Sequence, residues 1–416
     1  MREMKDSGCN YLGMIPSSWS TSRLKGYFKV SRTTGRPDAT VLSLYRDYGI
    51  VPKDSRSDNH NVTSLDTSKY KFVEVGDFVI NKMKGWQGSM ALSAHEGIVS
   101  PAYHVFKFTS SLLLPKYAHY LLRCRSYADE WHKLSTGLRV GQWDLHVEDF
   151  LNTRIPVPPL DEQRRIADYL DEKCAEIGRA VSAAEQSIEE YKTYKNFVVF
   201  QAATKGLDVD APMKDSGAEW LGEVPARWKL HRAKRLFKLT NDRGNDDLTL
   251  LAATQKHGMW PQDRLEGVVR VKDDADLSRF RTVHKNDFVI SLRSFQGGFE
   301  RSDFEGVCSP AYQTFHSINP IDYQFFKYLF KSPSFIDHMN SLTLGIREGK
   351  TIKFEDFAAQ VLPMPPLDEQ RRIADYLDEK CAEIDRAVSA KQAIIADLKA
   401  YKQSLIYEVV TGKREV

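Results

Sequence analysis

The segment PPLDEQRRIADYLDEKCAEI at 158–177 recurs letter for letter at 365–384. A chain that writes one helix-like segment twice must supply two equivalent surroundings for it, so this repeat constrains the fold before any other feature does. The match runs on through RAVSA at 179–183 and 386–390, interrupted only by Gly178 against Asp385. A second pair opens each half: MKDSGCNYLGMIPSSW at 4–19 and MKDSGAEWLGEVPARW at 213–228. Between these anchors the similarity is thinner but in register. Asp77–Ile80 answers Asp287–Ile290, and Ser100–Tyr103 answers Ser309–Tyr312. Gly137-x-Arg139-x-Gly141 answers Gly345-x-Arg347-x-Gly349, and Glu148–Phe150 answers Glu355–Phe357. The 416 residues are therefore a tandem duplication, each half a globular part followed by a charged helical part.

The helical parts follow from local rules. Pro158-Pro159 and Pro365-Pro366 stop whatever precedes them, because proline lacks a donor and restricts its predecessor. Asp161 and Asp368 are expected N-caps, with Glu162 and Glu369 in the first turn, where the helix dipole favours them. Apolar positions then alternate in steps of four and three: Leu170, Cys174, Ile177, Val181, Ala184, Ile188, Tyr191. The second copy offers Leu377, Cys381, Ile384 and Val388, then Lys391, then Ile395 and Leu398. This is a heptad seam, and each copy is the economical partner for the other. The expected fold is mixed α/β. Two similar globular α/β domains are separated by a long antiparallel intramolecular coiled coil, giving a pseudo-two-fold internal repeat with a globular part at each end. The expected boundaries are 1–157, 158–210, 211–364 and 365–416. Within the globular parts, short apolar runs broken by Gly, Asn, Asp and Ser read as strands and turns, with one helix each over Lys116–Trp131 and Tyr323–Asn340.

Charge matters only when it is divided the same way. The formal net charge of +3 looks indifferent to nucleic acid. Yet residues 1–157 carry 21 Lys and Arg against 15 Asp and Glu, and 158–210 carry 7 against 11. Residues 211–364 carry 22 against 20, and 365–416 carry 9 against 10. The globular parts hold the base excess, which phosphate contact requires. Two loop pairs add detail. Asn81-Lys82-Met83-Lys84-Gly85-Trp86-Gln87-Gly88 matches Ser291-Leu292-Arg293-Ser294-Phe295-Gln296-Gly297-Gly298, and each mixes cations, glycine, an aromatic and glutamine. Arg or Lys can pair with guanine and Gln with adenine, so Lys82, Lys84, Gln87, Arg293 and Gln296 are candidate DNA contacts. Arg139 and Gln142, with Arg347 and Lys350, are the candidates in the second pair, where flanking glycines permit close backbone approach. The plainer alternative is a set of solvated turns.

Other chemistries find less support. Gly345–Thr351 is one residue short of a phosphate-binding loop, and no Asn/Asp-Pro-Pro-aromatic methyltransferase motif or H-E-x-x-H zinc spacing occurs. Asp171-Glu172-Lys173 and its copy lie within the heptads and read as a solvated face. Five scattered cysteines without C-x-x-C suggest free thiols in a reducing cytoplasm. The polar N-terminus and the absence of a long apolar run suggest neither secretion nor a membrane span.

Two variable units, each followed by a Pro-Pro-Leu-x-Glu-Gln helix and each opened by Leu-Gly-x-x-Pro-x-x-Trp (Leu12–Trp19, Leu221–Trp228), resemble the specificity subunits of type I restriction–modification systems. The resemblance covers essentially the whole chain. It implies that about 20–157 and 229–364 are target recognition domains, and that the helices form the spacer and dock two modification (methyltransferase) subunits. It implies double-stranded DNA as ligand, a non-catalytic chain without its own cofactor, and S-adenosylmethionine, ATP and magnesium bound by the modification and restriction subunits. A stand-alone methyltransferase or nuclease, or a coiled-coil scaffold, are the alternatives.

Overall fold

A computed structural model describes residues 2–46, 49–56, 63–64, 66–135, 143–245, 247–255, 257–265, 277–291, 298–342 and 352–416. It divides into two compact units. The first comprises Met1–Glu185 with Gln392–Val416, the second Gln186–Lys391. Each unit therefore contains one globular part and a portion of both long helices, which run over Leu160–Lys205 and Leu367–Val410.

In the first unit a four-stranded antiparallel sheet has the order Phe28–Ser31, Tyr103–Phe108, Phe78–Asn81, Met90–Leu92. Side chains alternate across it as the period of two requires. Phe78 and Ile80 join Phe28, Phe106 and Phe150 in a core shared with the helices, while Val79 faces Val105, Leu42, Val73 and Val99. Both faces are buried, which is why this strand reads as an unbroken apolar run. Each buried Phe contributes about 1.5–3 kcal/mol. The second unit repeats the order with Phe237–Thr240, Gln313–Ser317, Phe288–Ile290 and Phe299–Arg301. Here Phe288 and Ile290 meet the helices, and Val289 packs with Leu251, Met259, Val283 and Cys308.

The single helices expected over Lys116–Trp131 and Tyr323–Asn340 are each two. They span Pro115–Arg123 and Arg125–Leu134 in the first unit, Tyr323–Lys331 and Pro333–Ser341 in the second. Pro333 explains the second break, since it forces Ser332 into an extended conformation (φ −67°, ψ 138°). Cys124 breaks the first helix in the same way (φ −69°, ψ 155°) with no proline to announce it.

Within the first unit, Leu170 and Ile177 of the central helix share a core with Leu405, Val409 and Val410 of the C-terminal helix. Arg165 donates to the Val416 carbonyl at 3.4 Å and Lys399 to Glu185 at 3.4 Å, so the two helices run antiparallel there. In the second unit Val198, Val199, Ala202 and Ala203 pack with Ile373, Ala374, Leu377 and Cys381, and Lys195 meets Asp385 at 2.7 Å. Both helices start at leucine, so Asp161 and Asp368 lie inside the first turn and do not cap it. The Pro159 carbonyl already accepts from the Glu162 and Gln163 amides, which moves the start forward by one residue.

The repeated motifs meet at a joint between globular part and helix. Gln163 is fully buried: its Oε1 accepts from the Leu114 amide at 2.8 Å, and its Nε2 donates to the carbonyls of Leu112 and Pro158, both at 2.9 Å. Gln370 repeats this with the Asp322 amide and the Pro365 carbonyl, each at 2.8 Å. Glu162 accepts from the Trp19 indole at 2.9 Å and from Arg2. Glu369 instead accepts from Arg227 at 2.7 Å, and the buried Trp228 indole N–H has no partner among the described residues. The opening motif and the helix-start motif are thus two sides of one contact. All five cysteines are free and buried, with Cys174 and Cys381 on the seam.

Candidate nucleic-acid interface

In the first unit the turn Asn81–Gly88 leaves the sheet at the end of strand Phe78–Asn81. Its backbone closes through Lys84 N–H to the Asn81 carbonyl (3.1 Å) and Gly88 N–H to the Gly85 carbonyl (2.8 Å). Gly88 takes a left-handed conformation, φ 77°. A Cβ on Gly85 would stand 3.2 Å from both Ile80 and Leu145, so the turn packs tightly there. Of the candidate contacts here, Lys84 is exposed while Lys82 and Gln87 are half-buried.

The segment that follows the second candidate loop meets this same turn. The Leu145 amide donates to the Lys82 carbonyl at 3.1 Å, and Lys82 Nζ lies 3.6 Å from Asp144. Residues 143–145 are thereby tied to the base of the 81–88 turn. Arg139 and Gln142 themselves fall outside the described residues, as do Arg293, Gln296, Arg347 and Lys350, together with the whole Gly345–Thr351 stretch. Only Lys82, Lys84 and Gln87 of the nine candidates are placed.

Several residues at this locus carry no sequence signal strong enough to single them out. His104 lines a cavity of about 460 Å³ with Lys82, Asp144, His146, Glu148 and Asp149. Burial, with Lys71 next and Lys82 adding to it, pushes its imidazole down to about 4, against the opposing pull of Asp144. In the second unit Gln313 stands in its place, accepting from the Phe354 amide at 2.8 Å and donating to the Ile352 carbonyl at 3.1 Å. Each unit thus secures the segment behind its second loop with the residue that follows Ser-Pro-Ala-Tyr.

Half-buried cations form the other shared feature. Lys71 and Arg281 occupy equivalent strand positions, opposite Val99 and Cys308. Burial first, then like charge, holds both below their usual range: Lys82 and Arg32 act on Lys71, Arg243 on Arg281. Crowded cations of this kind are relieved by an anion, and a phosphate backbone is one. Among the described residues, no group of His, Cys, Asp and Glu has the arrangement to hold a metal ion, and no helix is long and apolar enough to cross a membrane.

Residues 16–183 and 229–394 match the type I restriction modification DNA specificity domain. The MjaVIII type I restriction enzyme specificity subunit of Methanocaldococcus jannaschii is 23% identical, over 97% of this chain and 94% of its own. The StySPI type I restriction enzyme specificity subunit of Salmonella potsdam is 22% identical, over 96% and 90%. In fold, the chain resembles one from a structure of the type I R-M system described for its complex assembly and conformational transition. That match has a TM-score of 0.69 at 15% identity and covers 96% of this chain and 99% of the other. It also resembles the HsdS subunit of Thermoanaerobacter tengcongensis, with a TM-score of 0.52 at 16% identity over 96% and 98%.

Proposed function

The chain belongs to the type I restriction–modification DNA specificity family, and from that premise we propose that it selects the DNA sequence on which separate methyltransferase subunits act. Each globular unit reads one half of a bipartite, asymmetric site, and the paired helices set the spacer and dock two methyltransferase subunits. Restriction subunits complete a restricting complex. The chemistry belongs to those partners: S-adenosylmethionine, ATP and magnesium are theirs, this chain contributes no catalytic group, and the assembly works in the cytoplasm.

The observation that carries this reading is a contrast between conserved plan and diverged surface within one molecule. The sheet order and the Gln163/Gln370 joint are the same in both units, and the helix starts are identical in sequence. The loop side chains differ: Lys82 against Leu292, His104 against Gln313. Equal helices suit two copies of one partner, whereas unlike loops suit unlike half-sites. Arg139, Gln142, Arg293, Gln296, Arg347 and Lys350 join Lys82, Lys84 and Gln87 as proposed DNA contacts. Exchanging residues 20–157 for the equivalent unit of a relative tests the reading by methylome sequencing of the host. One half-site should change and the other persist; a change in both, or in neither, overturns it.

A further inference from the structure

Three rings from three separate segments meet beside the turn of the first unit. Trp86 comes from the turn, His132 from the helix Arg125–Leu134, and Trp143 from the segment that follows the second loop. Their centroids stand 5.1 Å (Trp86–His132), 5.5 Å (Trp86–Trp143) and 4.7 Å (His132–Trp143) apart. Neither tryptophan belongs to the buried core; both are partly exposed, and His132 is exposed. Indoles gain most from full burial, so a pair held at the surface forgoes stabilisation that the core would have given. The pair is nevertheless fixed. The Trp86 indole N–H donates to the Met83 carbonyl at 3.0 Å, and the turn beneath it is locked by Gly85 and Gly88. Lys82 and Lys84 flank it on the same turn, and Met83 between them is 39% exposed.

A rigid aromatic edge bordered by cations, on a unit with a base excess, fits a duplex whose phosphates meet the lysines while a ring enters a groove. We propose that Trp86, backed by Trp143 and His132, is a wedge that unstacks one base step in the half-site read by the first unit. This unit then reads deformability as well as base edges. The second unit has Asn340 at the position of His132, and its counterpart of Trp86, Phe295, lies outside the described residues, so the proposal concerns the first half-site alone. The inference rests on the DNA-specificity reading above.

The test uses the full chain without partner subunits and a duplex of its methylated sequence, with 2-aminopurine placed in turn at each step of both half-sites. The wild type should brighten the probe at one step of the first half-site. Trp86→Ala should abolish that signal and weaken binding about tenfold to a hundredfold, the scale of one lost aromatic–base stack. Trp86→Phe should retain most of both. If the wild type binds its sequence selectively without brightening any step of the first half-site, the wedge is wrong and the DNA reading stands. Full signal and affinity in a folded Trp86→Ala protein would equally overturn it. If the wild type shows no selective binding, the DNA reading itself fails.

Discussion

His104 and Gln313 show how one position can do the same structural work with different consequences. Gln313 is neutral at every pH, whereas His104 is held neutral by its surroundings, with a folded value of about 4 against about 6.5 in an unfolded chain. Between those values the unfolded chain binds a proton that the folded one refuses. The stability associated with His104 is therefore complete above about pH 6.5 and is lost as pH falls toward 4. His104→Gln should flatten this part of the acid limb, seen as a smaller drop in urea midpoint between pH 7 and pH 4.5 than in the wild type. Trp19 and Trp228 make a second natural pair. Trp19→Phe removes a bond to the Glu162 carboxylate, whereas Trp228→Phe removes an N–H without a partner among the described residues. Urea unfolding should show the first costing about 1–2 kcal/mol more than the second, because charged hydrogen bonds carry most of that difference. The residues that matter here were only partly legible in the sequence. Lys82, Lys84 and Gln87 were readable because they cluster on one turn. Trp143 was not, because nothing local relates it to Trp86, 57 positions earlier, until Leu145 is tied to the Lys82 carbonyl.

At the scale of elements, the helices were the most legible part. A period of 3.5 repeated through Leu170, Cys174, Ile177 and Val181 specifies a seam whatever the partner is, and Leu170, Cys174 and Ile177 are buried. The helix starts were legible as motifs but not as a mechanism. Gln163 reaches carbonyl and amide groups of Leu112 and Leu114, about fifty residues away, and no local rule predicts that bond. The break at Cys124 was invisible for a related reason: tertiary packing, not proline, turns the chain there. The seam also governs what insertions do. Adding seven residues after Glu185 and seven after Lys391 keeps the heptad phase and lengthens each helix by about 10 Å at 1.5 Å per residue. Methylome sequencing should then show both half-sites unchanged and a spacer about three base pairs longer, at about 3.4 Å per pair. An unchanged spacer would remove the helices from that role.

The whole molecule is two units interleaved along one chain. Residues 392–416 pack in the first unit: Leu405, Val409 and Val410 lie in its core, and the Tyr117 hydroxyl donates to the Val410 carbonyl at 3.2 Å. Gly412 lies against Pro16 and Trp19, where a Cβ would come within 2.4 Å of the proline ring. Ending the chain at Lys391 should expose the first unit to limited proteolysis and leave 186–391 resistant, since all the second unit's residues remain. The same interleaving sets an order in time. On the ribosome the second unit has its last residue when Lys391 emerges, whereas the first, although its sheet is made early, must wait for the final helix. At 5–20 residues per second that wait lasts on the order of tens of seconds, with part of an apolar core uncovered. The domain synthesised first is thus finished last, and a protein cut short by a premature stop near its end loses the earlier of its two domains.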